Sequence, residues 1–166
     1  MGMVMKCLPL LLLVSVAVAS SIGLADRPNI LFIMTDQHFG GAMSGVMGDR
    51  YVKTPNLDSL AESGTRFDRA YAPNPICVPA RNSIFSGYYP FETGLQTNSK
   101  EPLPERMVSM GKYFKDAGYD TGYFGKWHLN MKTSDTERHG FDEMGVLKNN
   151  GADHLIPEPT RAFLNR

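Results

Sequence analysis

The apolar positions along the chain fall into segments of different period, and each period predicts an element. Leu8 to Ala19 is almost wholly apolar. Asn29-Ile30-Leu31-Phe32-Ile33-Met34-Thr35-Asp36 is a second continuous run, and it ends in an acid. Continuous rather than alternating hydrophobicity predicts a strand buried on both faces, as in a parallel α/β sheet. Residues 39–53 are rich in Gly and Met and predict a loop. Thr54 to Gly64 carries a capping residue, Pro55 at the first helical position, apolar residues at 57, 60 and 61, and a closing glycine. That pattern predicts a short helix. Thr65 to Tyr71 alternates and predicts a strand, stopped by Pro73 and Pro75. A helix is expected from Pro79 to Gly87, then a proline-containing connection over 88–106 in which Tyr88 and Tyr89 are packing residues. Met107, Met110, Phe114 and Ala117 share one face of a predicted helix ending at Gly118. A methionine stripe of this kind reads as core. Tyr119 to Leu129 predicts a strand running into a turn at Gly125-Lys126. Beyond Leu129 the chain is polar, and no element is predicted from Lys148 to Arg166. His139 and His154 have no evident partners in the sequence and are read as surface residues.

The first apolar segment differs from the others. It follows Lys6 and is followed by small residues, Ala17-Val18-Ala19 before Ser20 and Gly23-Leu24-Ala25 before Asp26. Either site suits cleavage of a secretory signal peptide over residues 1–25. An uncleaved anchor is the alternative, but the clean apolar run is shorter than the roughly 20 residues a membrane span needs. Cys7 precedes the apolar run, which argues against a lipid-anchored cysteine at the cleavage point. The expected division is therefore a leader over 1–25 and one catalytic-domain portion over 26–166, exported to the periplasm or beyond.

Composition narrows the function classes. The 166 residues suffice for a core. Lys+Arg and Asp+Glu are both 17, and the basic residues are scattered. A nucleic-acid surface is not indicated. Of the two cysteines, Cys7 lies in the leader, so Cys77 is the one thiol left after cleavage. In an oxidising compartment a lone thiol is odd for a disulfide protein. It is less odd if it is destined for conversion.

Cys77 stands between Pro75 and Pro79, just ahead of a short helix. Free backbone N–H groups at a helix start favour an anion. Taken singly, each candidate has a bland reading: Cys77 a buried structural thiol, Asp36 a turn or cap residue, Lys126 a solvated charge, His128 a loop residue, Trp127 a packing anchor. Three ordered blocks together change the odds. Cys77-Val78-Pro79-Ala80-Arg81, followed by Ser83 and Gly87, resembles the sulfatase signature. Arg27 to Asp36 resembles the opening strand of sulfatases. Gly118-Tyr119-Asp120-Thr121, with Gly125-Lys126-Trp127-His128, is similar to the second sulfatase signature. His139-Gly140-Phe141-Asp142 resembles the stretch that follows in many members. The similarity runs from about Arg27 to about Met144.

The resemblance implies an alkaline-phosphatase-like α/β fold, a mostly parallel sheet with helices on both faces, here in its N-terminal portion. It implies that Cys77 is converted to formylglycine by a maturing enzyme and hydrates to a diol. One hydroxyl attacks sulfur, and the second lets the covalent sulfate leave by elimination. Asp36, Gln37 and Cys77 are implied around one divalent cation, taken as Ca²⁺ because the set is oxygen-rich and acidic. Arg81 is implied to reach back to the diol, Lys126 to neutralise sulfate charge, and His128 to hydrogen-bond the ester oxygen or act as the acid. Gln37 stands where the commoner pattern has a second aspartate, which lowers the charge of the site. The Asp-Gln pair also occurs in phosphonate and phosphodiester hydrolases, so those remain the alternative to a sulfatase acting on a sulfated carbohydrate or small ester. Family members are several times longer, and a second pair of metal ligands and a further Lys are expected beyond Arg166. An inactive remnant is the third reading, and a thiol enzyme using unmodified Cys77 the fourth.

Overall fold

The computed structural model describes residues 27–38, 48, 50–147 and 152–166. The expected leader lies outside the described residues, as does most of the predicted loop over 39–53. Residues up to Thr35 and those from Asp36 onward form two separate units. In the first, the described residues carry no strand assignment. Ile30, Leu31, Phe32 and Ile33 are all more than half exposed. The predicted strand is thus not seen. A strand is defined by its ladder, and an apolar run without one is only a strand in composition.

In the second unit the first helix, α1 (Pro55–Ser63), matches its prediction. Thr54 uses its hydroxyl on the Asp58 carboxylate (3.1 Å) rather than on the backbone. The strand predicted over Thr65–Tyr71 is absent. Phe67 and Tyr71 are 77% and 85% exposed, so the alternation has no buried face to answer to.

The central helix, α2 (Cys77–Ser86), starts two residues before the predicted Pro79. A proline in the first turn lacks only an N–H that would have no intrahelical partner. The Val78 N–H donates to Asn98 Oδ1 (2.9 Å), so a distant side chain caps the helix. Gly87, at φ 76°, closes it by donating its N–H to the Ser83 carbonyl. The connection that follows contains α3 (Pro90–Thr93). Tyr88 takes Arg106 over its ring, while Tyr89 is 57% exposed and stacks on Phe91. Next comes α4 (Met110–Asp116), capped by Ser109 Oγ accepting from Gly111 N–H. Met107 lies ahead of this helix, fully buried, as its apolar spacing indicated.

Strand β1 (Gly122–Lys126) pairs in parallel with β2 (Glu143–Leu147), Gly122 opposite Glu143 and Lys126 opposite Leu147. The crossover carries α5 (Thr136–His139). The chain then forms a 3₁₀ turn (Asp153–Leu155) and α6 (Pro157–Leu164), where no element was predicted. The sheet and its crossover were partly hidden because β2 is short and half-buried throughout.

The core of this unit combines aliphatic residues such as Val78, Leu95 and Leu103 with an aromatic cluster. Phe85, Trp127 and Phe141 are buried, and Tyr123 lies 4.9 Å from Trp127 and 5.4 Å from Phe141 between ring centroids. Full burial of one such side chain contributes roughly 1.5–3 kcal/mol. His139 is no surface residue: it is fully buried, stacked on Phe141 and edge-on to Trp127. Its Nδ1 accepts the Phe141 N–H (3.0 Å), which leaves Nε2–H to donate to the Thr133 carbonyl (3.0 Å). Backbone packs on backbone here, since a Cβ at Gly140 (φ 72°) would collide with the Lys112 backbone. His154, by contrast, is exposed as expected.

Candidate active site

Three segments far apart in sequence meet at the start of α2. Cys77 is its first residue and is partly exposed. Lys126, the last residue of β1, places Nζ 3.8 Å from Cys77 Sγ. Asp36 Oδ1 lies 3.9 Å from the same sulfur. Lys126 Nζ donates to Asp36 Oδ2 at 2.7 Å. The Arg81 Nη2 approaches Asp36 Oδ1 at 3.5 Å. Four of the predicted residues, Asp36, Cys77, Arg81 and Lys126, are therefore brought together. Gln37 and His38 are exposed beside Asp36.

Helix geometry explains Arg81. It sits one turn beyond Cys77, on the same face, and its guanidinium is buried, with 5% of the residue exposed. A buried guanidinium needs partners. It finds them in the Lys126 carbonyl (Nη1, 2.9 Å) and in Asp36. Arg81 thus ties helix, strand and Asp36 into one charged group.

The backbone N–H groups contribute less than the sequence indicated. Val78 N–H is taken by Asn98, Pro79 has none, and Ala80 N–H bonds the Ile76 carbonyl. Among the described residues, only the Cys77 N–H of that first turn is left for a ligand. The anion-attracting character of the site comes from the two side-chain cations.

The lysine hydrogen bond, with the charges of Lys126 and Arg81, holds the Asp36 carboxyl below its ordinary value. Asp36 therefore stays ionised into more acid solution than a free aspartate. His128 follows Trp127 in a left-handed backbone conformation (φ 48°), which is uncommon outside glycine. Desolvation of its ring, then the nearby Lys126 and Arg81 cations, push its pKa below 6.5. It is consequently neutral at neutral pH. The sign for stability follows. As pH falls through the ordinary histidine range, the unfolded chain takes up the proton first, so His128 opposes folding there, and the effect levels off below the depressed value. A ¹H–¹³C titration of His128 is expected to give a midpoint below 6.5 that rises in Lys126→Met. A midpoint unmoved by that substitution contradicts the electrostatic coupling.

The donor set can be weighed against the implied cation. Asp36 and Gln37 are adjacent, exposed and oxygen-bearing, and suit a hard ion in kind. The sulfur of Cys77 is soft and stands in for the oxygen that conversion would place there. Among the described residues, no group of three or more His, Cys, Asp or Glu side chains gathers around a point. Asp36 and Gln37 bring two oxygen-bearing side chains, fewer than the roughly six to eight oxygen ligands Ca²⁺ takes.

Sequence reasoning named the charged residues but not their supports. Asn82 Oδ1 accepts the Asn130 N–H (3.3 Å), joining α2 to the loop after His128. Tyr123 donates its hydroxyl to the Lys126 carbonyl. Tyr123 lies between the two halves of the second signature, and Asn82 directly after Arg81. Position beside a catalytic motif was the available signal.

Solved structures share the fold. One, a complex with its substrate D-glucosamine-2-N,6-O-disulfate, superposes with a TM-score of 0.64 at 38% identity, over 75% of this chain and 24% of that one. The phosphonate monoester hydrolase of Agrobacterium radiobacter superposes with a TM-score of 0.62 at 29% identity, over 82% and 29% of the two chains. The fold is of the alkaline-phosphatase-like α/β class, present here in part. The sulfatase family model matches residues 28–165, and the chain belongs to that family. It is also similar to the ulvan-active sulfatase of Formosa agariphila, 43% identical over 127 residues, which are 74% of this chain and 24% of that protein. The chain thus spans about a quarter of the length of this relative.

Proposed function

We propose that the protein to which this chain belongs hydrolyses sulfate esters, with carbohydrate esters as the substrate class, using position 77 as the nucleophile. One observation carries this reading: Lys126 and Asp36 converge on the Cys77 side chain at the mouth of α2, with Arg81 held against Asp36. Sulfuryl transfer needs a nucleophile, fixed positive charge on the sulfuryl oxygens and a proton donor for the leaving alcohol. Conversion of Cys77 to formylglycine would supply a hydrated aldehyde, whose second hydroxyl allows sulfate to be expelled. A divalent cation, taken as Ca²⁺, would be held by Asp36 and Gln37 with further ligands, and would add positive charge.

The chain's own residues do the rest. Lys126, within 4 Å of Sγ, neutralises a sulfuryl oxygen. Arg81 adds to Lys126 in holding Asp36 ionised and fixes the strand end that carries Lys126. His128 holds the ester oxygen by a hydrogen bond or serves as the acid. The carbohydrate assignment is supported by relatives described as ulvan-active and as acting on N-acetylglucosamine 6-sulfate. Among the described residues no helix is long and apolar enough to cross a membrane. Export through the 1–25 leader and encounter with a sulfatase-maturing enzyme complete the proposal.

The Asp36-Gln37 pair and the likeness to a phosphonate monoester hydrolase favour a second reading, phosphonate or phosphodiester hydrolysis on the same scaffold. Turnover of an aryl sulfate and an aryl phosphonate by the intact protein separates the two. The sulfate is expected to be the better substrate by kcat/KM, and a strong phosphonate preference would overturn the proposal.

A further inference from the structure

The backbone around Lys126 is irregular on both sides. Gly125 adopts φ 123° and His128 φ 48°. Neither value belongs to a strand, and positive φ is sparsely populated for a residue with a side chain. Lys126 is also the last residue of β1, so no further ladder pair follows to steady it. Two side chains take over. Arg81 Nη1 and the Tyr123 hydroxyl both donate to the Lys126 carbonyl. Tyr123 reaches this oxygen from three residues earlier in the same strand.

The surroundings of Tyr123 make that reach repeatable. Its ring lies among Phe85, Trp127 and Phe141, at 5.7, 4.9 and 5.4 Å. Packing on several sides leaves the ring little rotamer freedom. Burial pushes the phenol pKa up, against the pull of Arg81, so the hydroxyl keeps its proton and remains a donor. A buried phenol needs a partner for that proton, and the Lys126 carbonyl is the partner it has.

We infer that Tyr123 is a positioning residue: with Arg81 it clamps the Lys126 carbonyl, and the clamp aims the Lys126 ammonium at the nucleophile. This rests on the sulfatase reading for what the ammonium then meets. Tyr123 touches neither Cys77 nor Asp36 in this account and acts only through the backbone of residue 126. The clamp replaces, at one carbonyl, the ladder hydrogen bonds that would hold a longer strand straight.

Tyr123→Phe removes the donor and keeps the ring. In the intact protein it is expected to weaken inorganic sulfate binding, measured by calorimetry, about 3- to 10-fold, as loss of one hydrogen bond of ordinary net strength would. Its kcat is expected to fall by a similar factor. Phe141→Leu thins the same aromatic cluster and spares the hydroxyl, so it should lower the melting temperature and leave sulfate affinity near wild type. Replacing Tyr123 with 3-fluorotyrosine, a stronger donor of almost the same size, should restore or exceed wild-type affinity, and serves if Tyr123→Phe does not fold. Unchanged sulfate affinity in Tyr123→Phe overturns the clamp. So does a loss in Phe141→Leu equal to that in Tyr123→Phe, which would make the effect one of packing. Failure of the wild-type protein to bind sulfate at all would instead remove the sulfatase reading.

Discussion

Cys77→Ser in the intact protein is expected to abolish sulfate-ester turnover, with kcat lower by about 10⁴-fold or more, the scale of removing a nucleophile from its assembled site. The argument is chemical. Serine carries one hydroxyl and cannot be the hydrate of an aldehyde. It can accept a sulfuryl group, but it has no second hydroxyl from which to eliminate it. The substitution is small, and residue 77 sits partly exposed at a helix start that is capped by Asn98 through the next residue. Its melting temperature should therefore stay close to wild type. A serine variant that turns over repeatedly at the native rate would show that no aldehyde is needed.

Lys126→Met is expected to be the next most damaging change. It keeps the length of the stem and removes the charge. Losing one fixed electrostatic contact to a developing anion costs about 10²- to 10³-fold in kcat. Two further signs distinguish this from general damage. The Asp36 carboxyl loses the hydrogen bond that chiefly lowers its pKa, so the acid limb of the pH–rate profile should move to higher pH. The His128 midpoint should rise, because one of the cations that depress it is gone. A variant with a lowered rate but unmoved pH behaviour would place Lys126 outside the charged group.

The charged core of the site was legible in the sequence through the resemblance of three ordered blocks to sulfatase motifs. Spacing alone puts Cys77 and Arg81 one helical turn apart; that Lys126 belongs with them was implied by the sulfatase resemblance, and the fold brings it there. The helices α1, α2 and α4 were equally legible from Pro, Gly and apolar spacing. Strands were harder. Residues 29–35 have the composition of a buried strand and show none, and 65–71 has the alternation of a strand and no buried face. A strand depends on partners remote in sequence, whereas a helix closes its own hydrogen bonds. His139 was misread for the same reason. Its partners are Thr133, Phe141 and Trp127, and only the fold brings the indole to it. The helix-start anion site was overstated because Asn98, far along the chain, already occupies one of its donors. Tyr123 could be read as an aromatic core residue, but its hydroxyl's target is visible only with the strand end in place.

The most direct test is the chemical state of residue 77 in the native protein. Cleavage after Arg69 and Arg81 releases the peptide Ala70–Arg81, which contains it. Mass spectrometry of that peptide from active protein is expected to show an aldehyde in place of the thiol, reactive toward hydrazides and inert to alkylating agents. An intact, alkylatable Cys77 in protein that still hydrolyses sulfate esters would contradict the account.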